Sequence, residues 1–362
     1  MNLLRARLLS YFLVVFLALS LVGCAANVPE GTKNIENSMS KSTNGSEKSN
    51  NEFEIIRQVS DKFLKNNKVK LITARELYER VILTGDKSFH IVDIRGGSHF
   101  AEAHIPGSIN IPYGETWKEL KTEFLPRDKK IVLVCYSGHT SSQTAAFWGM
   151  LGFDVVVLKN GMAGWSKYEQ FIGSTPLACE PFDFPLVSDV VKEQSFSLPV
   201  IKEGITDPTS LIRKRSENYL KGNFSPVILA KDVKERIVDG IEGNNFYLVD
   251  IRTLEHYQTG HIAGSINIPL KTVAEIDSLK KLPTDKKIIV IGYDGHDASQ
   301  VVRILVQLGY NATAMKDGIR IWNGNEQVTG IQGINCANVK NLPTDKLNYK
   351  PKTDSAPATC SG

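Results

Sequence analysis

The apolar residues of this chain form two alternating patterns. Short runs in which nearly every residue is apolar, and many are β-branched, indicate buried strands at 88–94, 130–134 and 155–158. Residues 141–151 instead place apolar side chains at helical spacing, and a capping-box signature, Thr-Ala-Arg-Glu76, precedes a similar stretch. Strands that alternate with helices in this way predict an α/β fold with a parallel sheet flanked by helices.

The whole pattern occurs twice, at a constant offset of 157 residues. The matched pairs include Asp93 and Asp250, His104 and His261, and Trp165 and Trp322. Two copies in 362 residues predict two domains rather than one. We place the first domain at 53–180, a proline-marked linker at 181–206, the second domain at 207–336 and a C-terminal tail at 337–362.

The start of the chain has the features of a secretion signal. Arg5 and Arg7 precede an apolar run over 8–21, which is too short to span a bilayer comfortably. Small residues then precede Cys24, a pattern that resembles a bacterial lipobox. The resemblance implies a signal peptide at 1–23, lipid on Cys24 and a membrane-anchored, extracytoplasmic lipoprotein. The alternative is an ordinary cleaved signal peptide in which this cysteine is incidental.

The segment 24–52 contains few large apolar residues and many Ser, Asn, Lys and Glu residues. Such a composition cannot bury enough apolar surface to offset chain entropy, so we predict a disordered tether.

Composition and motifs exclude several function classes. The formal net charge of +4 is too small to indicate binding to nucleic acid. No metal-ligand spacing, nucleotide-binding loop or serine-type triad appears, so we expect neither a metal nor a cofactor. No feature identifies a protein partner.

The loop after the second predicted strand begins with Cys135 and leads into a predicted helix. Backbone N–H groups of such a loop converge at a helix N-terminus, where they favour an anion and hence a reactive thiolate. We expect Gly138 to adopt a backbone conformation that a side chain would oppose. Thr140 and Ser141 can donate hydroxyl hydrogen bonds to the sulfur, and His139 can supply a proton or a pH-dependent charge. The alternative for Cys135 is a small buried hydrophobic residue.

The motifs come in an order that resembles a rhodanese domain. They are Val-Asp-Ile-Arg95, His-Ile-Pro-Gly-Ser-Ile-Asn-Ile-Pro112, Cys-Tyr-Ser-Gly-His-Thr-Ser141 and Leu-Lys-Asn-Gly-Met-Ala-Gly-Trp165. The resemblance covers roughly residues 70–170 and 227–327. It implies a sulfurtransferase, in which Cys135 takes sulfane sulfur from a small anion such as thiosulfate, forms a persulfide and passes the sulfur to a thiol or cyanide.

The resemblance also assigns a substrate- and persulfide-binding loop. It consists of Tyr136, Ser137, Gly138, His139, Thr140 and Ser141. Families that favour thiosulfate often carry basic residues just after the cysteine, whereas Tyr136 and Ser137 are neutral here. The sequence therefore leaves the donor open.

The second copy has no nucleophile, because Gly292 stands at the position that corresponds to Cys135. Asp294 and Asp297 lie in the same loop and would repel an anion, although a cation or a positively charged partner there is an alternative. We expect the inactive second domain to complete a shared interface or to roof the active-site cleft.

The charged residues that occur in both copies are interpreted as fold-maintaining. Asp93, Arg95 and His104 have counterparts in the copy without a thiol. We keep Arg95 as a candidate substrate contact.

Five cysteines are present, and an exported chain meets an oxidising compartment. We expect a disulfide that involves Cys336, with either Cys179 or Cys360 as its partner. The alternative is that Cys179 resolves a persulfide on Cys135.

Three functions compete. The first is extracytoplasmic sulfur transfer by a rhodanese-type enzyme. The second is a sulfur-carrier or anion-binding module, docked on a membrane partner, without fast turnover. The third is a scaffold that uses the inactive domain for protein contacts.

Overall fold

The computed structural model describes residues 44–66, 70–173 and 176–347. The proposed signal peptide, Cys24 and Cys360 lie outside the described residues. Within them, no helix is both long and apolar enough to span a bilayer.

The first domain is a five-stranded parallel sheet with strand order β1-β5-β4-β2-β3. Its strands are β1 Lys70–Ile72, β2 Phe89–Asp93, β3 Ile109–Asn110, β4 Lys130–Val134 and β5 Val155–Leu158. Its helices are α1 Asn44–Asn66, α2 Ala74–Leu77, α3 Gly97–Glu102, α4 Glu119–Thr122, α5 His139–Met150, α6 Gly161–Trp165 and α7 Glu169–Ile172.

The second domain repeats this sheet, with strand order β6-β10-β9-β7-β8. Its strands are β6 Val227–Ile228, β7 Phe246–Asp250, β8 Ile266–Asn267, β9 Lys287–Ile291 and β10 Ala312–Met315. Its helices are α8 Pro208–Lys221, α9 Ala230–Asp232, α10 Leu254–Thr259, α11 Ile276–Leu279, α12 His296–Gln307, α13 Ile319–Trp322 and α14 Glu326–Thr329. The predicted pair of parallel α/β domains is therefore confirmed.

The capping box ahead of α2 forms as the sequence indicated. The Thr73 side chain accepts from the backbone N–H of Glu76, and the Glu76 carboxylate accepts from the backbone N–H of Thr73. Each half of this exchange satisfies a backbone donor that a helix start leaves free. The chain then continues as a π-helical turn over Tyr78–Leu83.

The predicted tether is wrong over its last residues, because α1 begins at Asn44. Phe53, Ile56 and Phe63 lie buried on one face of this helix. Once packing fixes that face, extending the helix toward its N-terminus needs no further apolar residues. Glu52, which the tether prediction left free, accepts hydrogen bonds from two backbone N–H groups of the linker at 2.7 and 2.9 Å.

The N-terminal helix of each domain packs on its own domain and also contacts the other. Arg57 on α1 donates to the carbonyl of Ala274 in the second domain at 3.2 Å. Arg213 on α8 donates to the carbonyl of Trp117 in the first domain, also at 3.2 Å. Trp117 and Ala274 occupy equivalent positions of the repeat, so the two halves are related by an approximate two-fold axis.

The segments that follow each domain are exchanged between the domains. Phe184 N–H donates to the Trp322 carbonyl at 2.8 Å, which seats residues 182–187 on the second domain. Leu342 N–H donates to the Trp165 carbonyl at 3.1 Å, which seats residues 341–347 on the first. The predicted linker and tail are therefore partly packed structure. The neighbouring domain supplies hydrogen-bond partners for the backbone of these two straps, 182–187 and 341–347, although neither strap is buried.

The disulfide joins the two chain segments just before residues 182–187 and 341–347, which pack on the opposite domains. Cys179 bonds Cys336, which lies 157 positions along the chain, at a Cα–Cα distance of 5.9 Å. The structure thus selects one of the two pairings that the sequence left open. A residue bonded to its own repeat counterpart lies on the approximate two-fold axis. Because Cys179 is paired in this state, it has no thiol with which to resolve a persulfide.

Candidate active site

Cys135 lies at the carboxyl end of β4, directly before the loop that opens α5. Its Sγ accepts hydrogen bonds from the backbone N–H groups of Gly138 at 3.0 Å and Ser141 at 3.4 Å. The Ser141 hydroxyl is 3.3 Å from the sulfur. Gly138 has a φ of 94°, the left-handed conformation that turns its N–H toward Sγ. These donors and the N-terminus of α5 favour negative charge on the sulfur.

The carbonyl groups of the loop are directed away from the sulfur. Met162 N–H donates to the Cys135 carbonyl at 2.8 Å, and Ala163 N–H donates to the Tyr136 carbonyl at 2.9 Å. A Cβ at Gly161 would overlap the Cys135 carbonyl oxygen, so the glycine permits this close approach. The first backbone N–H groups of α6 therefore hold these two carbonyl groups away from Sγ, and the groups that face the sulfur are hydrogen-bond donors.

His139 is the first residue of α5, and its ring lies between the domains rather than on the sulfur. Its Nε2 accepts from the backbone N–H of Asp317 at 3.0 Å, and its Nδ1 is 3.0 Å from the Ser137 hydroxyl. Because Nε2 accepts, the neutral ring carries its proton on Nδ1 and donates it to Ser137. The ring of His139 therefore bonds Ser137 and the second domain and makes no contact with the sulfur, so it is not placed to hand a proton to Sγ.

The protonation state of His139 links the interface to pH. Burial lowers the pKa of His139 from 6.5 to about 4, and the charges of His296 and Lys316 add to this effect against those of Asp317 and Asp294. Between these two pH values the unfolded chain binds a proton that the folded chain excludes. The folded state therefore loses stability as the pH falls through this window.

We expect a His139→Gln variant to lose less stability in acid than the wild type. The glutamine carbonyl can accept the Asp317 N–H but cannot be protonated, so about 3 kcal/mol of acid destabilisation near pH 4 should disappear. Denaturant unfolding of both proteins at neutral pH and near pH 4.5 measures the difference. Carboxylates titrate equally in the two proteins, so parallel pH dependence would show that His139 does not carry this effect.

His296 of the second domain is a site residue that sequence reasoning missed. Its Nε2 accepts from the Asn160 N–H at 3.4 Å, and its Nδ1 is 3.1 Å from the Ser142 hydroxyl. That hydroxyl in turn donates to the Gly138 carbonyl at 2.8 Å. His296 therefore holds the peptide next to the one that faces Sγ. The retained Gly-His pair in the inactive loop was the available signal.

The rings of His139 and His296 stack at the two-fold axis, with centroids 5.7 Å apart and planes inclined by 14°. Both rings are almost fully buried. The second domain thus completes a shared interface over the Cys135 loop.

The other loop residues differ in whether their side chains contact Sγ. The Thr140 hydroxyl makes no hydrogen bond to Sγ among the contacts of the described residues, unlike that of Ser141. The Tyr136 hydroxyl bonds His99 Nδ1, and Tyr293 bonds His256 in the same way in the inactive domain. Because the tyrosine–histidine pair occurs in both copies, we assign it to the fold.

Arg95 does not reach the sulfur. Its guanidinium forms a buried ion pair with Asp93 at 2.7 Å and donates to the carbonyls of Phe171 and Ala103. Arg252 pairs with Asp250 at the same distance in the domain that has no thiol. The candidacy of Arg95 as a substrate contact is therefore withdrawn. Breaking such a buried pair would leave an uncompensated charge.

His104 is also structural. Its Nδ1 is 2.7 Å from the Phe100 carbonyl, and its backbone pairs with Asp345 of the exchanged C-terminal segment. His261 makes the equivalent contacts with Tyr257 and Val187.

The loop of the second domain keeps the backbone support without the thiol. Ile319 N–H donates to the Gly292 carbonyl at 2.9 Å, as Met162 does to Cys135. Gly295 has a φ of 82°, close to that of its counterpart Gly138. The cradle is therefore a property of the fold and does not need a sulfur to form.

Asp294 lies in that second loop, where its carboxylate accepts from the His296 N–H at 3.2 Å. Burial opposes ionisation of Asp294, but the charges of His296, Arg320 and Lys159 outweigh burial and lower its pKa. Lys159 belongs to the first domain. The positive groups that face this carboxylate therefore come from the chain itself.

The sequence matches the Rhodanese-like domain family over residues 73–168 and 229–325. The chain belongs to the rhodanese-like family. Each match contains four of the five strands of one sheet and one cradle loop, and only the first contains a cysteine in that loop. Helices α1 and α8 and the two straps, which join the domains, lie outside both rhodanese-like matches.

Relatives of the rhodanese-like domains include proteins named for sulfur chemistry. Putative sulfurtransferase YtwF of Bacillus subtilis is 29% identical over 97 residues, which are 27% of this chain and 90% of that protein. Thiosulfate sulfurtransferase GlpE of Shewanella oneidensis is 36% identical over 91 residues, 24% of this chain and 85% of that protein. Putative sulfur carrier protein YrkF of Bacillus subtilis is 34% identical over 82 residues, 22% and 43% respectively. Each similarity has the length of one domain.

We searched the part of the chain that the structure describes for side chains that could bind a metal ion. No group of three His, Cys, Asp or Glu side chains there is arranged to hold an ion.

Proposed function

We propose that this protein is a sulfurtransferase that carries sulfane sulfur as a persulfide on Cys135. The Cys135 thiolate attacks the outer sulfur of a donor such as thiosulfate, and the donor S–S bond breaks so that sulfite leaves with the electron pair. A thiolate or cyanide then attacks the outer sulfur of the persulfide. The Cys–S–S bond breaks, the acceptor leaves with the sulfur, and the Cys135 thiolate returns.

The observation that carries this proposal is the cradle around Sγ. Cys135 is the one free cysteine of the described residues. Two backbone N–H groups and the Ser141 hydroxyl face its sulfur. Such donors stabilise both the attacking thiolate and the persulfide anion. The relatives named as sulfurtransferases support the same chemistry.

The proposal includes a location outside the cytoplasm, on lipid attached to Cys24. The leader sequence is its main support. The disulfide between Cys179 and Cys336 also favours an oxidising compartment.

A sulfur-carrier function is the second candidate, and burial of the nucleophile favours it. Cys135 is only 2% exposed beneath the second domain. Only small donors and acceptors reach such a sulfur without movement of the interface, so a bulky thiol acceptor would turn over slowly. The relative named as a putative sulfur carrier supports this alternative.

One experiment separates the two candidates. Full-length protein with its disulfide intact is incubated with thiosulfate. The mass of the peptide that contains Cys135 is then measured to detect one added sulfur atom. Cyanide is then added and thiocyanate is followed with time. We expect a persulfide and many thiocyanate molecules per chain. A persulfide with a single turnover would support the carrier, and neither product would contradict the proposed chemistry with this donor.

A further inference from the structure

Lys316 of the second domain lies beside the catalytic loop of the first. It follows β10, and its backbone N–H donates to the Ile228 carbonyl at 2.8 Å. The next residue, Asp317, donates its N–H to His139 Nε2 at 3.0 Å. The loop that bears Lys316 is therefore bonded directly to the residue that follows Gly138. Lys316 is half-buried, and its charge acts on the His139 ring.

The repeat supplies an internal comparison for this lysine. Lys159 occupies the equivalent position in the first domain, and the residue after it, Asn160, donates to His296 of the second domain at 3.4 Å. The charge of Lys159 acts on Asp294 in the inactive loop. The charge of each lysine thus acts on the loop of the other domain.

The two lysines differ in the charge of the loop that each one approaches. Lys159 faces a loop whose Asp294 carries a negative charge. The counterpart of Asp294 in the catalytic loop is Ser137, which is neutral. Lys316 also makes no ion pair with any residue that the structure describes. The charges of two carboxylates also act on His139, but Asp317 is paired with Arg320 at 3.0 Å and Asp294 belongs to the other loop. The charge of Lys316, beside the cradle loop, is therefore available to an anionic ligand.

We propose that Lys316 is the cationic contact for the anionic sulfur donor, so that the inactive domain completes the active site of the other. This inference rests on the proposed function and refines its substrate class to small anions such as thiosulfate. The loop residues after Cys135 carry no positive charge, and Lys316 supplies one from across the interface. Its charge attracts the incoming anion and stabilises the sulfite that leaves.

The first test compares Lys316→Met with Lys159→Met. Both variants remove one lysine from equivalent positions, so they share any general effect on the interface. We expect the KM for thiosulfate to rise about tenfold in the Lys316 variant, as for the loss of one partly screened charge next to an anion. The Lys159 variant should retain the wild-type KM, and a neutral organic trisulfide should be used equally by all three proteins. Equal KM values for thiosulfate in the two variants would overturn the proposal.

A second measurement does not depend on sulfur transfer. The rates at which iodoacetate, an anion, and iodoacetamide, which is neutral, alkylate Cys135 are measured by mass spectrometry of its peptide. We expect Lys316→Met to lower the ratio of the two rates severalfold and Lys159→Met to leave it unchanged. An unchanged ratio, or a wild-type Cys135 that excludes iodoacetate altogether, would contradict the role of Lys316. A lowered ratio in a protein that forms no persulfide would instead retain the cationic contact and reject the proposed function.

Discussion

Replacing Cys135 with serine is expected to reduce sulfur transfer more than a thousandfold. A serine hydroxyl is not ionised near neutral pH and forms no persulfide, and loss of a covalent nucleophile commonly costs at least about 10³ in rate. The fold should remain, because the serine oxygen can accept the same N–H groups that now face Sγ. Thiocyanate formation from thiosulfate and cyanide measures the effect, and thermal unfolding checks the fold.

The second cradle offers a control for this result. Adding Gly292→Cys to the Cys135→Ser protein places a thiol at the equivalent position. A Cβ at Gly292 meets its nearest neighbour, the Ala298 nitrogen, at 3.3 Å, so the side chain needs only a small adjustment. We expect no recovery of activity, because the Asp294 carboxylate opposes both the thiolate and an anionic donor. Full activity in the single Cys135→Ser variant would contradict the assignment of the nucleophile.

Replacing Gly138 with alanine is expected to cost both stability and activity. The glycine has a φ of 94°, which L side chains adopt at a cost of about 1 kcal/mol or more. A Cβ there would also overlap the His296 ring, which is buried and bonded at both nitrogens. The peptide must therefore shift, and with it the N–H that faces Sγ. A displacement of about 1 Å at a catalytic group costs about a hundredfold in rate.

Gly107→Ala is the matched control for this variant. Gly107 has a φ of 77° but open space where a Cβ would lie, so alanine introduces backbone strain without an interface clash. We expect it to lose stability of about 1 kcal/mol in denaturant unfolding while kcat/KM is retained. Partial recovery of the Gly138→Ala protein by His296→Ala would identify the clash as the cause. Wild-type activity in Gly138→Ala would mean that the Gly138 N–H is not needed by the sulfur.

Local sequence predicted most of the secondary structure because the relevant forces are local. The strand predicted at 130–134 and the one at 155–158 form with those bounds. The helix predicted at 141–151 forms as His139–Met150. The cradle could also be predicted, since a cysteine between a buried strand and a helix start can only meet that helix's free N–H groups.

The errors came from residues whose role depends on the other domain. Histidine is a residue type that often titrates in active sites, yet the ring nitrogens of His139 bond Ser137 and Asp317. The polar stretch before Phe53 has the composition of a tether, yet its end continues α1. In both cases the deciding partner lies in a distant part of the chain, so no local window contains the information.

Two α/β domains, one cysteine in a cradle loop and a second loop without a thiol could all be predicted from the amino-acid sequence. Those features follow from hydrophobic periodicity and from an internal repeat, which are properties of neighbouring residues. Only the folded chain shows how the copies face each other, and hence that Cys179 pairs with Cys336 and that His296 holds the loop after Cys135. The contacts from His296 to Ser142 and from Asp317 to His139 join residues 154 and 178 positions apart. A repeat offset does not specify such contacts, because two copies of one domain can pack in many ways, and only burial of their shared faces selects one.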